Sequence, residues 1–254
     1  RHYAMSFGGG HLYVQTAAAL TAVCSIQGAM LPMQIAQAET LPENTSSLTL
    51  DSTTSQTEDT ITVNDGGELN VYSGGTANNT TVNSGGRLYV SGGTMNNTTI
   101  NENPWVAGTG YLVTVRDGTL TSTTINSGGE VRINSQDNNS ATLNDTTINS
   151  GGLLTASGTY GASTCTLNGV TLSGGTLSFQ YCNISGTIQG YGALNKTLWS
   201  SGGILIVSGG NITMSGGYRY KPDRVIIEDN LRISGYQTAF SAGEIVINKV
   251  DATM

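Results

Sequence analysis

Residues 81–101 read TVNSGGRLYVSGGTMNNTTIN, and this stretch decides the fold. Two Gly-Gly pairs divide it into short runs, and in the first run Leu88 and Val90 alternate with polar residues. An alternation with a period of two is typical of β-strands that bury one face. Glycine adopts the positive φ angles that tight corners require. The stretch therefore predicts short strands joined by glycine corners.

The same unit recurs along the chain at intervals of about 18–25 residues, which predicts stacked, equivalent coils. The corner sequence Asn-[Asp/Ser]-Gly-Gly begins at four positions: Asn64, Asn83, Asn126 and Asn149. Degenerate copies of it lie at 172–175 and 200–203. A second Gly-Gly pair lies at 74–75, 92–93 and 209–210. The run Asn-Asn-Thr-Thr recurs before a strand, so stacked coils would place identical residues at equivalent positions, one above the other. We therefore expect ladders of Thr and Asn with a rise of about 4.8 Å per coil.

These features predict an all-β parallel β-helix over residues 61–217, with coils of about 18–25 residues. An antiparallel meander also has frequent turns, but it does not produce self-similarity at this period. The residues expected to point inward are Leu69, Val71, Val82, Leu88, Val90, Ile100, Ile125 and Ile148.

Composition excludes several other classes of protein. Glycine supplies 35 of the 254 residues, charged residues are 11% of the chain, and there are 4 prolines. These values do not fit collagen, a coiled coil or a charge-rich disordered chain. The formal net charge is −7 and no cluster of Lys or Arg is present. We therefore expect no nucleic-acid partner.

The two ends of the chain differ from the repeats. Residues 1–38 are predicted to be a secretory signal peptide cleaved after Ala38, because residues 12–38 carry no charge, are rich in Ala and end in Ala36-Gln37-Ala38. Residues 39–60 are rich in Ser and Thr and predict a linker or a ragged first coil. Residues 218–254 predict degenerate further coils or the start of a missing C-terminal region.

The stretch 81–101 resembles the AIDA-type repeat of autotransporter adhesin passenger domains. The resemblance is close over residues 61–101 and recognisable to about residue 217. It implies a right-handed parallel β-helix that is exported to the bacterial cell surface and acts in adhesion, autoaggregation or biofilm formation. Expected partners are host or bacterial surface glycans or proteins, or further copies of the chain, and glycosylation of Ser and Thr occurs in some members.

The resemblance also implies a location outside the cell, associated with the outer membrane. Passengers of this kind are exported through a C-terminal translocator barrel, a series of amphipathic strands of about ten residues. Such a barrel does not fit after residue 217. We therefore expect a fragment, or a passenger-like protein retained in another way.

Candidate chemistry is sparse. Both histidines, His2 and His11, lie in the predicted signal peptide, so the mature chain lacks the imidazole that hydrolytic triads and His/Cys zinc sites use. The aspartates are scattered over turns. We therefore predict no enzymatic activity, no metal and no cofactor. The alternatives are a β-helix carbohydrate-active enzyme, either a polysaccharide lyase or a hydrolase, and a passive surface spacer.

Two features remain as candidate sites. Insertions at 102–111 and 190–200 lengthen the coil period, and insertions on solenoids are often binding loops. Their aromatic residues are predicted contacts: Trp105, Tyr111, Tyr191 and Trp199. Separately, Cys165 and Cys182 share the register Cys-x-[Leu/Ile]-x-Gly about one coil apart. They are expected to stack on successive coils, either as a disulfide or as two buried thiols.

Overall fold

A computed structural model gives the architecture. The residues it describes are 2–7, 10–15, 22–26, 29–33, 39–41, 47–53, 57–102, 113–135, 140–159, 165–198, 200–215, 220–234 and 242–248. Within these ranges the chain forms strands and turns, without a helix. No described segment is a helix with the length and apolarity needed to cross a membrane.

The chain winds into a parallel β-solenoid, as the repeat predicted. Each regular coil contributes three strands, which pair with the equivalent strands of the coils before and after it. The coils therefore have three faces, which we call the first, second and third face in the order in which the chain visits them.

Each face is a stack of strands running in the same direction, and the longer strands turn corners and serve several faces. The first face contains Glu39–Leu41, Ile61–Val63, Thr81–Val82, Arg224–Ile227 and Glu244–Ile247. The second face contains Ser47–Leu50, Glu68–Tyr72, Glu130–Asn134, Leu153–Ser157 and Leu231–Ser234. The third face contains Thr57–Asp59, Thr76–Asn78, Cys182–Ile184, Ser200–Ser201 and Tyr220–Lys221. Strands that serve more than one face are Arg87–Ile100, Val113–Ile125, Ala141–Asn149, Cys165–Gln180, Thr187–Leu198 and Ile204–Ser215.

The core is a set of aliphatic columns that run along the solenoid. On the first face Val63, Val82, Ile100, Ile125 and Ile148 lie directly above one another in register. All eight residues predicted to point inward are buried, with at most 1% of their surface exposed. Because every coil buries its apolar residues against its neighbours, stacking supplies most of the hydrophobic stabilisation.

The corner between the third and first faces uses left-handed backbone on successive coils. Its residues have positive φ angles: Thr60 (63°), Asn79 (48°), Asn97 (53°), Ser122 (56°), Asp145 (53°) and Gly169 (83°). Asn and Asp tolerate this region better than other residues with a side chain, and glycine tolerates it best. The Asn-Asn-Thr-Thr run of the repeat is therefore a corner signal.

One segment predicted as a linker or a ragged first coil contains strands, and one glycine pair lies at a different corner from the one predicted. Residues 39–60 supply three strands that pair with the following coil. The repeat predicts the glycine pair at 202–203 as a degenerate copy of the first-to-second corner, but this pair precedes the strand at Ile204 and turns the chain from the third face to the first. The pair at 209–210 then serves the first-to-second corner, because any corner accepts glycine.

The two ends differ in their pairing. The strands from 224 to 247 pair in parallel with preceding strands, so the described part of 218–254 forms further coils. In the N-terminal segment, His2–Phe7 pairs antiparallel with Gly10–Gln15, and Ala22–Ile26 with Ala29–Met33. Cleavage of a signal peptide after Ala38 stays a prediction.

Candidate interaction surface

An asparagine ladder runs along the edge of the first face. Asn64, Asn83, Asn101, Asn126 and Asn149 follow one another on five successive coils, and each later Nδ2 donates to the Oδ1 of the asparagine before it at 2.8–2.9 Å. The amide is suited to this role because it carries both a donor and an acceptor. The ladder bridges 18 to 25 residues of sequence per step and fixes the coil register.

Threonine forms an outward row beside the asparagine ladder. Thr62, Thr81, Thr99, Thr124, Thr147 and Thr171 lie in register, and all are half-buried. Threonine fits this position because its branched Cβ favours strands and its hydroxyl tolerates solvent. The first face is therefore an uncharged surface of hydroxyl and amide groups over six coils.

A second threonine column points inward at the corner after the left-handed residue. Thr80, Thr98, Thr123 and Thr146 are at most 1% exposed, and their hydroxyl oxygens have no hydrogen-bond partner. The next residue in this column is Val170, opposite Thr146. The expected threonine ladder is thus two columns, one on the surface and one inside the core.

The second face carries a different chemistry. Every Lys or Arg between residues 2 and 195 lies on it, namely Arg87, Arg116 and Arg132. Tyr72 and Tyr89 lie among them, with ring centroids 6.0 Å apart and planes inclined by 64°. The Arg116 Cζ atom lies 5.9 Å from the Tyr89 ring centroid, within the range of a cation–π contact. We call these five residues the tyrosine–arginine patch.

Three carboxylates accompany the patch. Glu68 is opposite Arg87 in register and accepts a hydrogen bond from Asn70 Nδ2 at 2.7 Å. Asp117 accepts hydrogen bonds from the backbone amides of Gly118 (2.8 Å) and Ser140 (3.2 Å). The third is Glu130, two residues before Arg132 on the same side of its strand. The formal charges of this region therefore cancel.

The predicted contact residues have different positions. Trp105, Tyr111 and Trp199 lie outside the residues whose placement is described. Tyr191 is 41% exposed, at the corner between the first and second faces. The predicted loop at 190–200 is wrong over its described part, because residues 187–198 form one strand. No insertion lengthens this coil, because the register partners Leu172, Gly190 and Val207 on the first face are only 18 and 17 residues apart.

The two cysteines are partners in register on the third face. Both are buried and neither forms a disulfide. The Cys182 thiol donates to the carbonyl of Gln180 at 3.3 Å. A hydrogen bond to Cys182 and burial both raise the pKa of the Cys165 thiol well above its usual value. The geometry therefore places two buried thiols side by side in the core.

The described carboxylates have local roles. Asp51 accepts hydrogen bonds from the backbone amide and hydroxyl of Thr53, and Asp59 accepts one from Asn78 Nδ2. Asp145 occupies the left-handed corner. In the part of the chain that the structure describes, no three His, Cys, Asp or Glu side chains group so as to hold a metal. The absence of enzymatic activity stays a prediction.

One family of known proteins matches the repeat segment of this chain. A family described as "Adhesin of bacterial autotransporter system, probable stalk" matches residues 58–104, so the resemblance to the AIDA-type repeat is confirmed over this segment. Among solved structures, a hyper-glycosylated fragment of TibA, modified by TibC, is 18% identical, with a TM-score of 0.33 over 85% of this chain and 80% of that one. No curated protein matches.

The sequence contained a signal for the patch that the linear pattern hides. Arg87, Arg116 and Arg132 are far apart along the chain, and only the coil register brings them together. Alignment of the repeats by their outward positions on the second face would place Tyr89 and Arg132 in one column, separated by Thr114. The insertion before Val113 obscures that register.

Proposed function

We propose that this chain is the stalk-bearing passenger of an autotransporter adhesin, displayed on the bacterial cell surface and acting in adhesion, autoaggregation or biofilm formation. The observation that carries the proposal is the match of residues 58–104 to the adhesin stalk family, on coils that also carry the asparagine ladder. The proposed partners are surface glycans or proteins, or another copy of the chain.

The coil architecture supports this role physically. Each coil rests on the next through an aliphatic core and side-chain ladders, so the solenoid extends in one direction with little dependence on distant contacts. Its outward rows are rich in Thr and Asn and nearly free of charge over the first face. Such a surface offers many identical weak contacts, and several of them formed at once bind more tightly than any single contact.

The test is surface display of the whole chain. The chain is fused to a heterologous autotransporter barrel in a host that lacks adhesins of its own, and surface exposure is verified by protease accessibility. We expect faster settling of the cells and greater retention on coated surfaces than with an inert passenger of equal length. Cells that display the chain but behave like this control would contradict the adhesin function and favour a passive spacer.

Enzymatic activity is tested on the same material. We propose that the chain binds without chemistry, so neutral and acidic polysaccharides should show no new reducing ends after incubation. Reproducible cleavage that disappears on substitution of one aspartate would establish a carbohydrate-active enzyme instead.

A further inference from the structure

The tyrosine–arginine patch stands apart from the rest of the described surface. Tyr72 is 39% exposed, and Arg87 and Arg116 are also exposed. The patch spans four successive coils, so it extends over roughly 14 Å along the solenoid at about 4.8 Å per coil. Large aromatic and arginine side chains that remain accessible are the residue types that most often dominate binding energy.

The geometry gives the patch an aromatic platform with polar groups around it. Tyr72 meets Tyr89 edge to face, and Arg116 covers one side of the Tyr89 ring. This packing reduces the rotamer freedom of all three side chains before any ligand binds. An exposed tyrosine ring offers an apolar surface for the C–H groups of a sugar and a hydroxyl that reaches solvent.

The charges of the patch decide between ligand classes. Arginine donates hydrogen bonds and a carboxylate accepts them, and a sugar hydroxyl does both. Three arginines (Arg87, Arg116 and Arg132) are matched by three carboxylates (Glu68, Asp117 and Glu130), so the region presents donors and acceptors with no net formal charge. The chain as a whole carries −7. Both facts disfavour a polyanion and favour an uncharged ligand rich in hydroxyl groups.

We propose that the tyrosine–arginine patch is a binding site for a neutral polysaccharide, with Tyr72 and Tyr89 as its stacking platform and Arg116 as a donor to sugar hydroxyls. This inference rests on the proposed adhesin function and assigns that function a ligand class and a place on the second face. The site lies on strands of the second face rather than in the segments predicted as insertions.

The experiment measures binding of the whole chain to immobilised polysaccharides. The neutral probes are dextran, mannan, galactan and xylan, and the acidic probes are polygalacturonate and hyaluronan. We expect at least one neutral probe to bind, with little dependence on salt because no net charge is involved. Binding to acidic probes alone, or to none of the neutral probes, would overturn the proposal.

Two double variants separate ring stacking from general damage. Tyr72→Ala with Tyr89→Ala should weaken binding by about tenfold or more, since both rings are lost. Tyr72→Phe with Tyr89→Phe keeps both aromatic rings and should retain most of the polysaccharide binding. Arg116→Gln should weaken binding moderately, and Ser178→Ala, on the second face two coils beyond Arg132, should leave it unchanged. Thermal unfolding verifies that each variant folds.

The outcomes distinguish this inference from the proposed function. The patch proposal fails if the wild-type chain does not bind neutral glycans, or if the Ala double variant binds them as well as the wild type does. If cells that display the double variant still adhere and aggregate in that case, the adhesin function stands. If the double variant instead abolishes association between copies of the chain and leaves glycan binding intact, the patch is a homotypic contact and the proposal is also overturned.

Discussion

At the scale of single residues, the asparagine ladder replaces solvent hydrogen bonds with bonds between coils. Asn101 occupies its centre, donating to Asn83 at 2.8 Å and accepting from Asn126 at 2.9 Å. Its side chain is half-buried, so water compensates only in part for a lost partner. Chains of hydrogen bonds of this kind also polarise one another.

The ladder yields the first prediction. Asn101→Ala removes two hydrogen bonds and leaves an acceptor on Asn83 and a donor on Asn126 without their ladder partner. We expect the free energy of unfolding to fall by about 2 kcal/mol, measured by urea denaturation. The matched control is Thr99→Ala, two residues earlier, near the end of the strand that precedes Asn101, and also half-buried; it should change the free energy of unfolding by no more than about 0.5 kcal/mol. Equal losses in both variants would contradict a specific role of the ladder.

The cysteine pair yields the second prediction. The pKa of Cys165 is raised by its hydrogen bond to Cys182 and by burial, so the thiol stays protonated at neutral pH. A raised folded-state pKa contributes stability below the unfolded pKa of about 8.5, and that contribution is lost as the pH rises above it. We therefore expect native Cys165 and Cys182 to resist alkylation at pH 7, and both to react after unfolding.

Peptide mapping by mass spectrometry reads each cysteine separately. Rapid modification of either thiol in the native chain, or recovery of a disulfide-linked Cys165–Cys182 peptide from freshly purified protein, would show that the buried-thiol arrangement is wrong. Unfolding measured at pH 7 and at pH 9.5 in the same buffer should show lower stability at the higher pH.

At the scale of the element, the corner between the third and first faces combines a strained backbone with a buried hydroxyl. Asn97 adopts a φ of 53°, and the next residue, Thr98, points its hydroxyl into the core without a partner. A buried hydroxyl without a hydrogen bond is destabilising by roughly 1–3 kcal/mol. The fold already accepts a different residue here, since Val170 occupies the equivalent position.

The third prediction follows from that corner. Thr98→Val keeps the branched shape and removes the unpaired hydroxyl, so the free energy of unfolding should rise by about 1 kcal/mol. Thr99→Val, on the outward row next to it, serves as the control and should have little effect. A loss of stability in Thr98→Val would show that the hydroxyl is satisfied, for example by an internal water molecule.

The corners also explain which part of the fold was predictable from sequence. Between Asn64 and Asn149 the repeat preserves polar residues in order, so the stacking of like residues could be derived. Beyond residue 186 the glycine pairs alone remain, and glycine suits every corner. For this reason the sequence pattern predicts the wrong corner for the pair at 202–203, although it predicts the strands around that pair.

The candidate site was less predictable than the fold for a related reason. Contacts between outward residues on different coils depend on how many residues each corner holds, and a single shift exchanges inward and outward positions. The register shift after Val90 sets where Arg116 lies relative to Tyr89. Composition gives no information about that shift.

At the scale of the whole molecule, stability is a sum over coils and their interfaces. The asparagine ladder, the threonine rows and the aliphatic columns all repeat with one coil, so each reports the same rise. The distance between two points on one column therefore depends on the number of coils between them and not on the number of residues. This property separates a solenoid from any fold with the same strands in antiparallel order.

The most direct test of the parallel solenoid is a set of distances between spin labels on the outward threonine row, measured by pulsed electron paramagnetic resonance. Cys is introduced in pairs at Thr62/Thr124, Thr99/Thr171 and Thr62/Thr171, in a background where the native cysteines are replaced by Ala. The first two pairs each span three coils and should both give backbone separations of about 14 Å, although they differ in sequence separation, while the third spans five coils and should give about 24 Å. Unequal distances for the two three-coil pairs, or a five-coil distance no longer than theirs, would contradict the stacked parallel coils.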